Sequence, residues 1–268
     1  MKFIDKLLVA SRRNKSLLCV GLDPDPELMP KVSLLEFNKA IVDATADLVC
    51  AYKPNLAFYE VLGIDGLKVL QKTIEHIPGH IPVIGDGKRG DISNTAKAYA
   101  KALFVTFGFD AATVSPYLGF DSIEPFIGYK DKGVFILCRT SNLGALDFQN
   151  LLDTQGIPLY ETVARKAKEW NVHDNVGLVV GATYPDELKT IRQLCPDMPL
   201  LIPGIGAQGG DLASAVKFGV DARAEKAIIV AARQILYAAR EKDFAEAARH
   251  SARELRDSIN QLVNQVGH

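Results

Sequence analysis

Short runs of apolar and β-branched residues alternate along the chain with longer segments in which apolar residues recur at helical spacing. The short runs predict eight strands, at 17–22, 50–56, 81–84, 111–114, 134–138, 176–180, 200–205 and 227–230. The longer segments predict helices at 3–13, 34–49, 67–76, 95–107, 159–170, 186–194 and 210–218, and a helical tail from 234 to about 266. Alternation of this kind over the whole length is typical of a parallel sheet with helices outside it.

Eight strand-helix units in 268 residues predict an α/β fold, a (β/α)8 TIM barrel, with the first helix lying across its bottom. A doubly wound open sheet is the alternative, but closure into a barrel fits this number of units in this length better. The sequence has no Ser/Gly-rich linker, low-complexity tract or short repeat that would divide it. We therefore expect one domain over residues 1–268.

The balance of charge excludes one class of partner. Lys plus Arg number 31 and Asp plus Glu 32, so a basic surface for nucleic acid is not expected.

The N-terminus has no apolar core and no cleavage site of a signal peptide, and no apolar run approaches the length of a membrane span, so we expect a cytoplasmic protein without a membrane association. The four cysteines are far apart and form no Cys-x-x-Cys pair, which predicts buried thiols rather than a metal site.

Charged residues gather where the first three predicted strands end. Asp23 follows the first strand, Lys53 lies in the second, and Asp86 and Lys88 follow the third, with Asp91 just beyond. In extended backbone, residues two apart point the same way, so Asp86 and Lys88 should project together toward the barrel axis. The simplest interpretation of this segment is a solvated ion-pair cluster, but Lys and Asp from three strand ends predict a charge network with a function. Active sites of barrels lie at these ends.

A second group of residues follows the seventh and eighth strands. The first part is glycine-rich and contains Gly204, Gly206, Gln208, Gly209 and Gly210. Glycines let backbone N–H groups approach an anion, and Arg233, after the eighth strand, offers a bidentate fork. These two loops are the usual phosphate site of a barrel, although tight turns would also explain the glycines. The sequence therefore predicts a phosphate site.

The segment Asp86-Gly87-Lys88-Arg89-Gly90-Asp91-Ile92 resembles the signature of orotidine 5′-phosphate decarboxylases, in particular their longer bacterial subgroup. The resemblance continues over essentially the whole chain, at 21–24, 52–55, 139–142, 203–210 and at Arg233 with 235–238. It implies decarboxylation of orotidine 5′-monophosphate to uridine 5′-monophosphate, the last step of de novo pyrimidine synthesis. The resemblance implies a lyase with a nucleotide monophosphate as substrate and with neither cofactor nor metal.

The resemblance also implies a role for each matching residue. Lys88 would give a proton to C6 of the pyrimidine, and Asp86 would face the departing CO2. Lys53 would link the two Asp residues and, with Asp23, hold ribose hydroxyls. Asp91 and Thr95 would reach into the partner's site of a homodimer. The remaining substrate-binding residues would be Ser141 and Gln208 at the pyrimidine, and Gln208, Gly206, Gly209 and Arg233 at the phosphate.

The sequence departs from the family pattern at the phosphate side. Ala231 and Ala232 precede Arg233 where members often carry a small polar residue, and Leu143 stands where they tend to have Pro. Neither change affects the charged residues at the strand ends. The property that these changes would alter is the affinity for phosphate.

Three other functions compete with this one. A Mg-dependent sugar-phosphate decarboxylase or hexulose-phosphate synthase of the same superfamily shares the Asp-x-Lys-x-x-Asp pattern, but there the second strand should end in an acidic residue, and Lys53 would repel Mg2+. A Schiff-base aldolase would need a neutral amine on Lys88 or Lys53, which neighbouring carboxylates oppose. A non-enzymatic barrel would bind phosphorylated metabolites without turnover, which the full Asp86, Lys88 and Asp91 set disfavours.

Overall fold

The computed structural model describes residues 1–205 and 210–266. Within these ranges it contains eight parallel strands. They are β1 (Leu18–Leu22), β2 (Ala51–Pro54), β3 (Ile84–Arg89), β4 (Ala111–Val114), β5 (Gly133–Arg139), β6 (Val176–Val180), β7 (Leu200–Ile202) and β8 (Ala227–Ala231). The sheet order is β2-β1-β8-β7-β6-β5-β4-β3, and isolated parallel bridges Tyr52–Val83 and Asn55–Asp86 join its two edges. The predicted TIM barrel is confirmed.

Helices follow the strands and cover the barrel. In the described part of the chain they are α1 (Phe3–Asn14), α2 (Leu34–Thr45), α3 (Ala57–Glu60), α4 (Gly63–His76), α5 (Ser93–Lys101), α6 (Phe120–Ile127), α7 (Leu159–Trp170), α8 (Pro185–Leu194), α9 (Leu212–Gly219), α10 (Arg233–Leu236) and α11 (Phe244–Val266). A π-helical turn at Ala102–Thr106 extends α5, and a 3-10 turn at Leu143–Asp147 follows β5. None of the described helices has the length and apolar character that crossing a membrane requires.

The apolar core has two layers because the strands are buried on both faces. The larger layer lies between the strands and the surrounding helices. The smaller one fills the barrel interior and includes Cys19, Ile84, Phe135, Val179, Leu201 and Ile228. Helix α1 closes the bottom, where the Phe3 ring packs edge-on against Phe135 with centroids 5.6 Å apart. All four cysteines are buried and free, as predicted.

The structure corrects two of the predicted elements. Strand three was predicted at 81–84, but β3 begins at Ile84 and continues to Arg89. The polar and glycine-rich residues after Ile84 look like a loop, yet they stay in the barrel wall because β3 pairs with β4 as far as Arg89 and Val114. The predicted continuous tail from residue 234 is two helices, α10 and α11, with a break at 237–243. The break lets Phe244 turn back and stack on Phe37, with ring centroids 5.4 Å apart.

Candidate active site

A divided cavity opens at the C-terminal ends of the strands. Its two lobes measure about 450 Å³ and about 480 Å³, and Lys53, Asp86 and Pro203 line both. The first, named here the Arg233 lobe, is lined by Asp23, Asn55, Gly204, Ala232, Arg233 and Tyr237, among others. The second, named the Ser141 lobe, is lined by residues that include Lys88, Thr113, Leu137, Ser141, Gln149 and Val179. Charged side chains therefore stand at the junction of a larger, elongated site.

Four charged side chains form an alternating row at this junction. Lys53 Nζ lies 2.7 Å from Asp86 Oδ2 and 4.0 Å from Asp23 Oδ1. Lys88 Nζ lies 2.7 Å from Asp86 Oδ1, so each oxygen of this carboxylate accepts a hydrogen bond from a different ammonium. Lys53 is only 5% exposed, whereas the Lys88 side chain is 48% exposed and faces the cavity. The row is anchored at its buried centre and accessible at Lys88.

Lys53 and Asp86, the inner pair of the row, stay charged because each stabilises the charge of the other. Burial disfavours the charge on Lys53, but the attraction of Asp86 and Asp23 outweighs it and raises the pKa of Lys53. Burial also disfavours the Asp86 carboxylate, yet Lys53 and Lys88 hold the pKa of Asp86 well below its usual value. At the far end, burial raises the pKa of Asp23, and the negative charge of Asp86 adds to this rise while Lys53 opposes it. Asp86 therefore remains a carboxylate at neutral pH.

The backbone at Lys88 is unusual for a strand. Its φ is +45°, in the left-handed region, which costs a side-chain-bearing residue about 1–2 kcal/mol. The pairing of β3 with β4 shifts register between Gly85 and Arg89, so the sheet leaves this residue out of its regular ladder. The Lys88 N–H donates instead to the hydroxyl of Thr113, 2.9 Å away, and that hydroxyl donates to Asp86 Oδ1, also at 2.9 Å. Strained backbone of this kind is typical of functional sites.

The Arg233 lobe is built where β8 passes into α10. Arg233 is the first residue of that helix, and its exposed side chain lines the lobe. The hydroxyl of Tyr237 donates to the carbonyl of Asp23 at 2.9 Å and accepts from the backbone N–H of Asp25 at 2.6 Å. The helix that begins at Arg233 is thus tied to the loop that carries Asp23.

Two glycines shape the loop after β7. Gly204 has a φ of +100°, which favours glycine, and its carbonyl accepts a hydrogen bond from Gly210 N at 3.1 Å. A Cβ on Gly210 would lie 2.6 Å from that carbonyl oxygen, so this close approach requires glycine. Gly206, Gln208 and Gly209, the other sequence-predicted residues of this loop, lie outside the described residues.

The Ser141 lobe is held from below by a buried arginine. Arg139 is 0% exposed, and its guanidinium lies 3.6 Å from the centroid of the Tyr184 ring. It donates to Gln149 Oε1 at 3.3 Å, and the same oxygen accepts from the backbone N–H of Thr140 at 2.8 Å. This network fixes the start of the loop whose next residue, Ser141, lines the lobe.

Two predicted site residues do not reach the cavity of their own chain. Asp91 is half-buried and its Oδ1 accepts from the N–H of Ile92 at 2.8 Å, and Thr95 is exposed on α5. Within the described chain Lys88 pairs with Asp86 and not with Asp91, because Asp91 lies past Gly90, where the backbone leaves the barrel for α5. Exposed apolar side chains, among them Ile92 and the 82% exposed Tyr117, follow β3 and β4 on this side.

The structure brings together most of the residues predicted from sequence. Asp23, Lys53, Asp86 and Lys88 form the row, and Ser141 and Arg233 line the two lobes. Sequence reasoning missed three contributors, Thr113, Gln149 and Tyr237. A threonine in a buried β-branched run reads as an ordinary strand residue, and the other two lie away from strand ends, so only the position of Tyr237 four residues after Arg233 offered a signal.

Comparison with known proteins gives matches over nearly the whole chain. The family model described as "Orotidine 5′-phosphate decarboxylase / HUMPS family" matches residues 16–249. The orotidine 5′-phosphate decarboxylase of Dehalococcoides mccartyi (strain BAV1) is 56% identical over 265 residues, which covers 97% of this chain and 98% of that protein. The orotidine 5′-phosphate decarboxylase of Thermomicrobium roseum is 51% identical, over 99% of this chain and 98% of that protein.

Solved structures agree with these matches. The OMP decarboxylase of Leishmania donovani superposes with a TM-score of 0.88 at 40% identity and covers 98% of this chain and 99% of its own. The UMP synthase of the same organism superposes with a TM-score of 0.90 at 43% identity over 98% of this chain, which spans 57% of that longer protein. The sequence-based resemblance is confirmed: the chain is an enzyme of the orotidine 5′-phosphate decarboxylase / HUMPS family.

Proposed function

We propose that this enzyme decarboxylates orotidine 5′-monophosphate to uridine 5′-monophosphate without a cofactor, and that Lys88 supplies the proton. The observation that carries the proposal is the alternating row Asp23, Lys53, Asp86, Lys88 at the junction of the two lobes. Membership of the family and the names of the relatives at 51–56% identity support the same reaction.

The shape of the cavity suits a nucleotide monophosphate. The lobes, of about 450 and 480 Å³, lie in the size range of small-molecule sites. In our proposal the phosphate binds at Arg233, with Gln208 and the backbone of Gly206 and Gly209. The ribose hydroxyls contact Asp23 and Lys53, and the pyrimidine enters the other lobe beside Ser141. This orientation brings C6 and its carboxylate to the charged row.

The chemistry follows from the charges of the row. When the bond from C6 to the carboxylate breaks, CO2 leaves and the electron pair stays on C6 as a carbanion that the ring delocalises poorly. The Lys88 ammonium stabilises this developing charge and then transfers a proton from Nζ to C6. Asp86 repels the substrate carboxylate but not neutral CO2, so this repulsion is relieved as the bond breaks. Binding of the remote phosphate contributes energy for orientation.

The family name also covers sugar-phosphate enzymes. The residue at the end of the second strand, Lys53, distinguishes the nucleotide reaction from the sugar-phosphate reaction. Lys53 stands where the Mg-dependent enzymes need an acidic residue, and its ammonium lies 2.7 Å from Asp86. A Mg2+ ion on Asp86 would therefore lie beside a buried cation. The raised pKa of Lys53 also opposes the neutral amine that a Schiff base needs. Both observations favour the nucleotide reaction.

The test is to assay the purified protein on two substrates. With orotidine 5′-monophosphate in EDTA, we expect loss of substrate absorbance and formation of uridine 5′-monophosphate with release of CO2. With 3-keto-gulonate phosphate or hexulose phosphate and added Mg2+, we expect no turnover. The reverse pattern would overturn the proposal in favour of the sugar-phosphate reaction, and tight nucleotide binding without turnover on either substrate would make the chain a binding protein.

We further propose a homodimer in which Asp91 and Thr95 complete the partner's site. The half-buried Asp91, the exposed Thr95 and the exposed apolar Ile92, Tyr117 and Leu118 support this arrangement. In a two-fold dimer each site would then combine one chain's Lys88 with the other chain's Asp91, so that Asp91 adds a third carboxylate to the row.

Mixing two inactive variants tests the shared site. In a hybrid of Lys88→Ala and Asp91→Ala chains, one site combines both defects and the other has neither. Equal mixing makes half of the dimers hybrids, so about one quarter of the normal activity should return after exchange of subunits. If Asp91 served its own chain, both sites of the hybrid would be defective and no activity would return. A monomer at assay concentration would also contradict the proposal.

A further inference from the structure

Thr113 is a buried polar residue of the barrel wall, beside the charged row. It belongs to the buried strand β4, Ala111–Val114, and is 1% exposed. It lines the Ser141 lobe together with apolar side chains that include Leu137 and Val179. A buried hydroxyl in such surroundings is costly unless it is hydrogen-bonded, so its partners show what it does.

The hydroxyl of Thr113 joins the two residues at the reactive end of the row. It donates to Asp86 Oδ1 at 2.9 Å and accepts from the backbone N–H of Lys88 at 2.9 Å. The directions are fixed, because the Asp86 carboxylate can only accept and a backbone N–H can only donate. One hydroxyl has the donor and the lone pairs to make both bonds at once. No apolar side chain of the same shape could replace it.

The bond to Lys88 replaces a bond that the sheet does not make. The register of β3 against β4 shifts between Gly85 and Arg89, and Lys88 has its left-handed φ of +45° inside this shift. The Thr113 hydroxyl gives the displaced N–H a partner and so favours this backbone conformation. In that conformation Lys88 Nζ reaches Asp86 Oδ1 at 2.7 Å.

The bond to Asp86 completes the surroundings of its carboxylate. Oδ2 accepts from Lys53, and Oδ1 accepts from Lys88 and from Thr113. Three donors from three different strands therefore fix the plane of the carboxylate. Thr113 is the uncharged donor among them, so it contributes orientation without altering the charge of the row.

We propose that Thr113 is a positioning residue that sets the geometry of Asp86 and Lys88 for the decarboxylation. The proposal rests on the function proposed above and deepens it. Thr113 acts through the two charged residues, so its loss should slow the chemical step more than it weakens substrate binding, which depends in the proposed function on Arg233 in one lobe and Ser141 in the other.

Two variants separate the hydroxyl from the packing of the side chain. Thr113→Val keeps the shape and removes the hydroxyl, and we expect kcat to fall roughly 10- to 100-fold, because a displacement of about 1 Å in a catalytic group has an effect of that size. KM should stay within about threefold. Thr113→Ser keeps the hydroxyl and removes a methyl group, and its kcat should stay within about fivefold of the unmutated enzyme. A packing role predicts the opposite order, with valine harmless and serine worse.

A matched control is the buried Thr45 on α2. Its hydroxyl donates to Ile41 O at 2.7 Å, away from the cavity, so Thr45→Val should lower thermal stability while kcat stays unchanged. A Thr113→Val enzyme with kcat equal to that of Thr113→Ser would overturn the proposal. If the valine variant does not fold, Thr113→Ala, compared with Thr113→Ser, decides in the same way.

A structural readout keeps this inference separate from the proposed function. Absence of turnover by the unmutated protein would refute the function but not the geometry. Crystal structures of the unmutated and Thr113→Val proteins should then show that Lys88 leaves its left-handed conformation or that its Nζ leaves Asp86 in the variant. Unchanged positions of both residues would overturn the positioning role.

Discussion

Replacement of Lys53 by methionine should reveal how strongly the charged row depends on its central cation. The side chain is 5% exposed and its Nζ lies 2.7 Å from Asp86 and 4.0 Å from Asp23. Lys53→Met keeps most of the volume but removes the cation between the buried Asp86 carboxylate and the partly buried Asp23 carboxylate. Removing one partner of a buried ion pair destabilises a protein by about 3–5 kcal/mol. At roughly 2 °C per kcal/mol for a chain of this size, the melting temperature should fall by about 6–10 °C at neutral pH.

Two further variants show whether the loss of charge causes the fall in melting temperature. Lys53→Met combined with Asp23→Asn removes one of the opposed carboxylates and should recover part of the lost stability. Lys68→Met removes an exposed lysine that pairs with Asp65 at 2.9 Å, with side chains 66% and 89% exposed. Exposed pairs contribute at most about 1 kcal/mol, so its melting temperature should change little. Calorimetry or circular dichroism on the four proteins gives the comparison.

The stability contributed by Lys53 depends on pH in a defined direction. Because the folded-state pKa of Lys53 is raised, its contribution to stability is fully present below its unfolded value of about 10.4 and is lost only as pH rises through the folded value. In the Lys53→Met variant, Asp86 loses one of the two ammonium groups that lie 2.7 Å from it and binds protons more readily. The difference in melting temperature between variant and unmutated protein should therefore narrow as pH falls from 8 to 5. A difference that is constant over this range, or no larger than that of Lys68→Met, would refute the reasoning.

Other substitutions should separate stability from activity. Arg192 donates to the carbonyls of Gly219, Cys195 and Met198 at the far end of α8, so Arg192→Met should lower the melting temperature by about 6 °C or more, for a loss of about 3 kcal/mol, with kcat of the folded enzyme unchanged. A loss of kcat without a loss of stability would contradict this. Tyr237→Phe removes the two hydrogen bonds that tie the Arg233 helix to the Asp23 loop and should lower kcat/KM by roughly 2- to 12-fold, corresponding to about 0.5–1.5 kcal/mol. An unchanged kcat/KM in steady-state assays would show that this link has no role in the reaction.

Hydrophobic patterning predicted the barrel because most strands are buried on both faces and stand out as short apolar runs, with the polar second half of β3 as the exception. The polar residues at strand ends predicted the charged row for a physical reason as well, since parallel strands bring their C-terminal ends to one side. The period of a strand predicted that Asp86 and Lys88 lie close together, and their side chains do meet at 2.7 Å. It did not predict the backbone of Lys88, because the register shift that turns it to a φ of +45° depends on the pairing of β3 with β4.

The missed features arise from contacts between residues distant in sequence. Thr113 acts through a hydroxyl aimed at β3, and nothing in its own strand distinguishes it from a β-branched core residue. Arg139 belongs to a recognised motif, but its burial against Tyr184 depends on the loop after the next strand. The break between α10 and α11 follows from the packing of Tyr237 and Phe244 against earlier parts of the chain. Asp91 and Thr95 act, in our proposal, only in a second copy of the chain.

The most direct test of the central claim is the rate of orotidine 5′-monophosphate decarboxylation by Lys88→Ala, measured in EDTA beside the unmutated enzyme. Lys72→Ala, which removes an exposed lysine of α4, is the matched control. If Lys88 stabilises the carbanion and protonates C6, kcat should fall by at least about a thousandfold in Lys88→Ala and stay unchanged in Lys72→Ala. A Lys88→Ala enzyme that keeps kcat within about tenfold of the unmutated rate would contradict the account.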